Sequence, residues 1–467
     1  MVTINQWPHK IEVLRLNRGR SALALIAIYL FFPAVAQADE FVIREFDKQQ
    51  LHSVYWSEGA SYGDFNQDGH MDIVSGPHLW LGPDFKHLYE YYPPVAPTKV
   101  GTYSRGYYSN DNFFSYVYDI SGDGWPDIMT VGLPNTEAYW YENPGKPFGG
   151  KGPKNPVHWE KHFVTNAVKN EAPDFKDLTG DGVPELLMAY DEHYGYVSPN
   201  PVSPRLPWIF HPIATFDEVI HHYTHGMGIG DIDGDGRHDY IIGDGWMQQP
   251  ASLQFGEDWQ YHQYPFVDRA GDNAYASLNG GGNMYAYDVN GDGLNDVITS
   301  QDAHGWGLSW YEQVRQYGDD GEMITFKEHI IMSKQEENTD NPYGVQFSQL
   351  HAVELVDIDG DGLKDILTGK TYRAHDFGDE GSRQDPVIYY FRLTRQDNGK
   401  VEFVPYKIED QAGIGRQLVS GDLNGDGLAD FVVGNKNGAF AFIQEVRKVS
   451  RKEWKKAQPV RSKKYKK

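Results

Sequence analysis

Seven short acidic stretches share one spacing of oxygen-bearing side chains. They read "DFNQDGHMD", "DISGDGWPD", "DLTGDGVPE", "DIDGDGRHD", "DVNGDGLND", "DIDGDGLKD" and "DLNGDGLAD". Positions 1, 3, 5 and 9 carry the oxygens. In the first three stretches these are Asp64, Asn66, Asp68 and Asp72; Asp119, Ser121, Asp123 and Asp127; and Asp177, Thr179, Asp181 and Glu185. The next two supply Asp231, Asp233, Asp235 and Asp239, then Asp288, Asn290, Asp292 and Asp296. The last two supply Asp357, Asp359, Asp361 and Asp365, then Asp422, Asn424, Asp426 and Asp430. Glycine at position 6 permits a sharp turn, and position 7 can add a backbone carbonyl. Ca²⁺ takes roughly six to eight oxygen ligands, so carboxylates this close are expected to neutralise an ion, up to seven in all. A metal-free Asx/Gly turn explains one such stretch but not seven with a single spacing. Ser121, Thr179 and Glu185 depart furthest from the pattern.

The stretches recur every 54 to 69 residues, a period that signals a propeller or solenoid and leaves room for four short strands per unit. Short apolar runs broken by Gly, Asp, Asn and Pro, with 50 glycines in 467 residues, favour an all-β chain. A second repeat, aromatic-x-x-His/Tyr, appears at Trp159…His162, Trp208…His211, Trp259…His262, Phe326…His329 and Phe403…Tyr406. These histidines are expected to pack in an outer strand. Phe41…Arg44 matches the spacing ahead of the first acidic stretch, while the last unit ends one strand short after Ala439–Gln444. The expectation is an all-β, seven-bladed β-propeller over residues 39–444, its ring closed by strand 40–46. The acidic stretches resemble the FG-GAP/VCBS-type repeats of integrin α-subunit propellers and of many secreted bacterial proteins. That resemblance implies calcium-binding loops joining the innermost strand of each blade to the second strand.

If the innermost strand runs toward its calcium loop, it begins at the opposite face, around the channel mouth. Six residues before each loop stand Glu58, Phe113, Glu171, His225, Gly282, His351 and Arg416; four before stand Ala60, Ser115, Pro173, Met227, Met284, Val353 and Leu418. The first ring is rich in ionisable groups and the second is small or apolar. The loop after the second strand should return to the mouth, bringing His78, Asp191, His193, Asp302, His304, Tyr372, Arg373 and His375, together with insertions 332–349 and 371–386. His225, His351 and Glu171 are the donor set for Zn²⁺ or Mn²⁺. Arg416 is then expected to hold a carboxylate or keto oxygen, with His193, His304 or Tyr372 taking a proton. Tyr194, Tyr223, Trp306 and Tyr372 could stack on sugar rings. A histidine-rich mouth on a calcium-looped propeller also resembles the propeller module of aldos-2-ulose dehydratases, which implies a metal-assisted sugar dehydratase or lyase. The competing class is a non-catalytic propeller that binds glycan or protein.

Charge and targeting bound the partners. Residues 445–467 hold eleven Lys/Arg against two Glu, and residues 1–38 hold four against one, so the net −24 leaves −36 on residues 39–444. Such a body repels nucleic acid and anionic membranes. Lys10, Arg15, Arg18 and Arg20 precede the apolar run Ala22–Phe32 and the small-residue site Ala36–Ala38, the pattern of a secretory signal peptide. The mature chain is expected to be periplasmic or extracellular, without a membrane span. Cysteine is absent, so metal replaces disulfides as the candidate staple. The basic segment 445–467 reads as a solvated, disordered tail.

Overall fold

The computed structural model describes residues 41–96, 98–99, 107–108, 111–146, 157–216, 220–267, 280–318, 321–334, 341–373, 378–396 and 399–462. The segment 1–38, expected as a signal peptide, and His375 lie outside them. Among the described residues, five four-stranded antiparallel sheets and one eight-stranded sheet follow one another along the chain, with a two-stranded pair, Thr98–Lys99 and Tyr107–Tyr108, beside them in sequence. Each unit is a meander. The first sheet, for example, runs Ser61–Gly63, Asp72–Ser75, His78–Leu81 and His87–Glu90 in that order. The second strands, such as Asp127–Val131, Asp296–Ser300 and Asp365–Gly369, are buried along their whole length. With both faces covered, they carry consecutive apolar pairs (Ile128–Met129, Val297–Ile298, Ile366–Leu367) and not a strict alternation.

The core is divided among the gaps between successive sheets. Met129, Val131 and Trp140 of one sheet pack with Leu186, Met188 and Val197 of the next. The last such cluster joins Ala60, Ile73 and Trp80 to Val432 and Ala441, closing a propeller ring. In the eight-stranded sheet two four-stranded meanders meet through a parallel pair, Met227–Gly230 with Asn283–Tyr287. Glycine permits this approach: a Cβ on Gly228 would stand 1.8 Å from the Met284 carbonyl oxygen.

The closing strand is Val42–His52, longer than the expected 40–46, and it completes the last sheet beside Gly438–Lys448. Because Val42 pairs with Lys448, the third strand must run four residues past the expected boundary at 444. The expected disordered tail is likewise corrected as far as Ser462. Arg451–Ala457 form a helix capped by Ser450, Trp454 packs on Phe41 at 5.4 Å, and Arg461 grips both oxygens of Glu402 at 2.6 and 2.5 Å. Four of the segment's eleven basic residues, Arg451, Lys452, Lys455 and Lys456, lie on that helix. Among the described residues, no helix is long and apolar enough to cross a membrane.

The outer-strand histidines pack as expected. His162, His211, His262 and His329 lie on Trp140, Tyr196, Trp246 and Trp310 of the adjacent strand at 4.1 to 4.7 Å. A staple between blades was not visible in the sequence. Gln313 Nε2 donates to Ile232 O of the preceding meander (2.8 Å) and to Asn295 O (2.7 Å). Asn143, Gln249 and Gln444 bridge to the preceding blade in the same way. Gln313→Leu leaves the buried Ile232 carbonyl and the half-buried Asn295 carbonyl without that donor, a loss of about 1–3 kcal/mol. A urea midpoint equal to wild type would contradict this role.

Candidate functional site

Among the described residues, potential ligands converge in the acidic loops and at the mouth. In every loop the first aspartate is an anchor. Asp357, for instance, accepts backbone N–H bonds from Gly360, Asp361 and Gly362 at 2.7 to 3.1 Å. Gly362 takes φ +88°, which a side chain would resist, so glycine at position 6 is a steric requirement. Carboxylates of Asp177, Asp181 and Glu185, of Asp231, Asp233 and Asp239, and of Asp357, Asp359 and Asp365 lie within 4.8 Å of one another in each set. Glu185 therefore reaches its partners despite being the longer acid. The donor chemistry and spacing fit a hard cation.

The position 9 acid has a second duty that sequence reasoning missed. Asp296 accepts Val289 N through one oxygen and Gln313 N through the other, at 2.9 and 2.8 Å, tying the loop to the third strand. Asp72, Asp127, Asp239, Asp365 and Asp430 repeat the arrangement. Burial pushes Asp72, Asp127, Asp239, Asp296 and Asp365 up to about 7, against the lowering effect of those N–H donors. In the sixth loop Arg392 also pairs with Asp359 and Asp361.

At the other end of the innermost strands, the ionisable ring converges. His225, His304 and His351 each offer a ring nitrogen within 4.8 Å of the others. Their ring centroids are 4.5 to 5.3 Å apart. Glycines 280–282 lead into the strand Asn283–Tyr287, which lies between those that follow His225 and His351: a Cβ on Gly280 would stand 2.5 Å from His225 O, and one on Gly282 would stand 2.4 Å from His351 O. Side chains there would hold the two histidine segments apart.

A string of alternating charge completes the mouth. Lys436 Nζ pairs with Glu58 Oε1 (2.8 Å), Arg416 spans Glu58 (3.5 Å) and Glu171 (2.8 Å), and Glu171 Oε2 stands 3.6 Å from His225 Nε2. Glu58, Glu171, His225, His351 and Arg416 are all at most 5% exposed. Burial alone would raise the Glu171 carboxyl, but Arg416, His225 and His304 overcome it and hold it at about 2. Arg416 also borders a channel cavity of about 220 Å³, together with Asp174, Lys176, Tyr285 and Glu354.

These positions redistribute the expected roles. His304, expected as a base, joins the group that could hold a metal. Arg416 is committed to two protein carboxylates that need its charge in a buried setting. His193 and Tyr372 are not members of the cluster: His193 pairs with Tyr190 and Thr215 across its sheet, and Tyr372 lies beneath the Arg373 guanidinium. Tyr194 is a core residue against Phe216 and Tyr240, not a sugar platform. His78 sits among His52, Trp56 and Trp80.

Sequence reasoning overlooked Gln349, Lys370, Thr371 and Asp379, which surround the histidines. Thr371 Oγ1 meets His351 Nδ1 at 2.8 Å, and Asp379 Oδ2 meets His304 Nδ1 at 3.2 Å. Lys370 is buried against Gln349, and burial brings its amine down to about 8 despite Asp379. The one available signal was the placement of the long insertions at this face.

Residues 357–433, which contain the last two acidic loops, match the FG-GAP-like repeat family. No curated protein matches the chain. Among solved structures, the chain is similar to an Agrocybe aegerita lectin described as specifically recognising non-reducing terminal N-acetylglucosamine. The identity is 15% over 86% of this chain and 87% of that one, with a TM-score of 0.40. It is also similar to BBS1N, solved in complex with ARL6DN, at 8% identity over 87% of this chain and 99% of that one, with a TM-score of 0.44. The chain is an all-β propeller that carries an FG-GAP-like repeat over residues 357–433.

Proposed function

We propose that the protein is an exported, seven-bladed propeller, stapled by calcium in its acidic loops, that holds a transition metal at the channel mouth and binds carbohydrate over it. The observation that carries this reading is the meeting of His225, His304 and His351 beside Glu171. Three imidazoles and a carboxylate suit Zn²⁺, with Mn²⁺ as the alternative. The blade count takes the eight-stranded sheet as two blades joined at the axis. It is supported by core clusters that bridge successive sheets all the way round. Calcium is supported by the converging carboxylates, and export by the pattern of residues 1–38. Carbohydrate is the ligand class because sugar hydroxyls suit a polar mouth, and Trp306 and Tyr372 flank it in sequence.

A second reading, β-elimination on a keto-sugar or uronate, is favoured by the His304 side chain. It remains 16% exposed while the His225 side chain is 1% exposed, giving the cluster one edge toward solvent. A bound metal would supply polarisation of a sugar carbonyl or carboxylate at that edge. His193 and Tyr372 remain the candidate bases.

The test is metal analysis of protein purified as wild type, His225→Ala and His351→Ala, followed by sugar titrations of each. Wild type should retain about one Zn²⁺ or Mn²⁺, with rebinding weakened on the order of 100-fold or more in either variant. Keto-sugars, anhydro-sugars and uronate oligosaccharides would be screened for a new ultraviolet-absorbing unsaturated carbonyl. If no transition metal is retained or rebound and neither variant alters sugar binding, the mouth is a polar channel. The non-catalytic glycan- or protein-binding reading then replaces this one.

A further inference from the structure

We infer that Gln349 is a positioning residue for the mouth. With Thr371 and Asp379, it fixes both His304 and His351 in the tautomer that protonates Nδ1 and leaves the Nε2 lone pair for a metal. The inference rests on the metal reading above and assigns the groups that tune that site.

Gln349 is fully buried and adopts φ +65°, a left-handed conformation that a non-glycine residue keeps only when its surroundings enforce it. The enforcement is visible. Its N–H donates to Gly305 O (2.7 Å), which fixes it to the loop that carries His304. Its carbonyl accepts from Thr371 N (3.0 Å) and from the Thr371 hydroxyl (2.9 Å). That second bond decides a proton. A threonine hydroxyl has one hydrogen, and here it goes to Gln349 O, so Thr371 Oγ1 must accept from His351 Nδ1.

The side-chain amide decides the other proton. Lys370, 1% exposed, donates to Gln349 Oε1, which turns the amide nitrogen toward Asp379 Oδ2 at 2.7 Å. A flipped amide would face its N–H groups to an ammonium and its oxygen to a carboxylate. Asp379 Oδ2, held in this way, accepts from His304 Nδ1. Carboxylate and hydroxyl partners behind imidazole ligands orient the ring and raise its basicity. One residue thus serves two ligands, through its backbone to His351 and through its side chain to His304.

Two measurements test this. In metal-free protein, imidazole ¹⁵N spectra should report Nδ1–H for both His304 and His351. In Co²⁺- and Zn²⁺-binding titrations, Asp379→Asn, Thr371→Val and Gln349→Gly should each weaken affinity by about 10- to 100-fold and change the Co²⁺ absorption bands. Thr371→Ser, which keeps the hydroxyl, should restore both. Gln349→Gly relieves the backbone strain while removing the amide, so a loss of affinity without a loss of melting temperature separates positioning from scaffolding. Nε2–H tautomers in the metal-free protein overturn the inference. So do variants that bind within about twofold of wild type with unchanged Co²⁺ bands, while His225→Ala abolishes binding; the metal reading survives that outcome. Wild type that binds neither ion overturns both.

Discussion

Removal of Val42–His52 is expected to abolish the folded ring. That strand makes ten register pairs with Gly438–Lys448, so its loss bares the whole edge of the last sheet. It also strips Phe46, which meets Phe431 edge-on at 5.4 Å and packs, half-buried, against the core between the last two sheets. Arg44, which donates to Asp359 O, and Lys48, which pairs with Glu409 at 2.6 Å, hold this strand to the preceding sheet and would go with it. An unpaired edge of this length invites aggregation, and opening a closed ring exposes two faces instead of one. The graded version is Phe46→Ala, which should cost about 3 kcal/mol. A soluble, cooperatively melting protein lacking residues 42–52 would show that the closing strand is dispensable.

Chelation of calcium should lower the melting temperature by on the order of 10 °C at pH 8, because each site held well above its dissociation constant contributes about 2–3 kcal/mol. The direction with pH follows from the buried position 9 acids. Their folded values of about 7 lie above the ordinary carboxylate range, so the folded state binds more protons than the unfolded chain between roughly pH 4 and 7. Metal-free protein should therefore lose stability as pH rises across that window and level off above it. A bound cation counters the ionised form, so the calcium-loaded protein should depend less on pH. The chelator effect should accordingly be larger at pH 8 than at pH 5. It should also grow at low ionic strength, where repulsion among loop carboxylates is least screened. Coincident melting curves at pH 8 after the ions have been shown to leave would mean that the backbone donors to Asp357 and its equivalents hold the loops unaided.

Several roles changed between sequence and structure for identifiable reasons. Arg416 stood in a ring of ionisable residues, and position alone suggested contact with substrate. Burial beside Glu58 and Glu171 gives it a structural charge to neutralise instead. His304 was expected at the mouth as a base, but its loop, which accepts the Gln349 N–H at Gly305 O, sets its ring beside His225 and His351. The tail at 445–467 had the composition of a disordered end, but Trp454 has Phe41 to cover, a partner more than 400 positions away in the chain.

By itself, the sequence determined what repeats. Seven acidic loops, four strands per unit, the outer aromatic-histidine pairs and the need for an N-terminal closing strand are all local patterns. Each is written within one unit by side-chain period, turn chemistry and ligand order. It also marked Glu58, Glu171, His225, His351 and Arg416, because equivalent positions along repeated strands fall at equivalent heights around one axis. Only the tertiary structure decided what those residues meet. The interblade amide of Gln313, the glycine gap at Gly280–Gly282 and the cradle of Gln349, Thr371 and Asp379 join segments whose offsets differ from unit to unit. Contacts of that kind are set by how neighbouring sheets converge on the axis, a property of the closed ring and of no single stretch of chain.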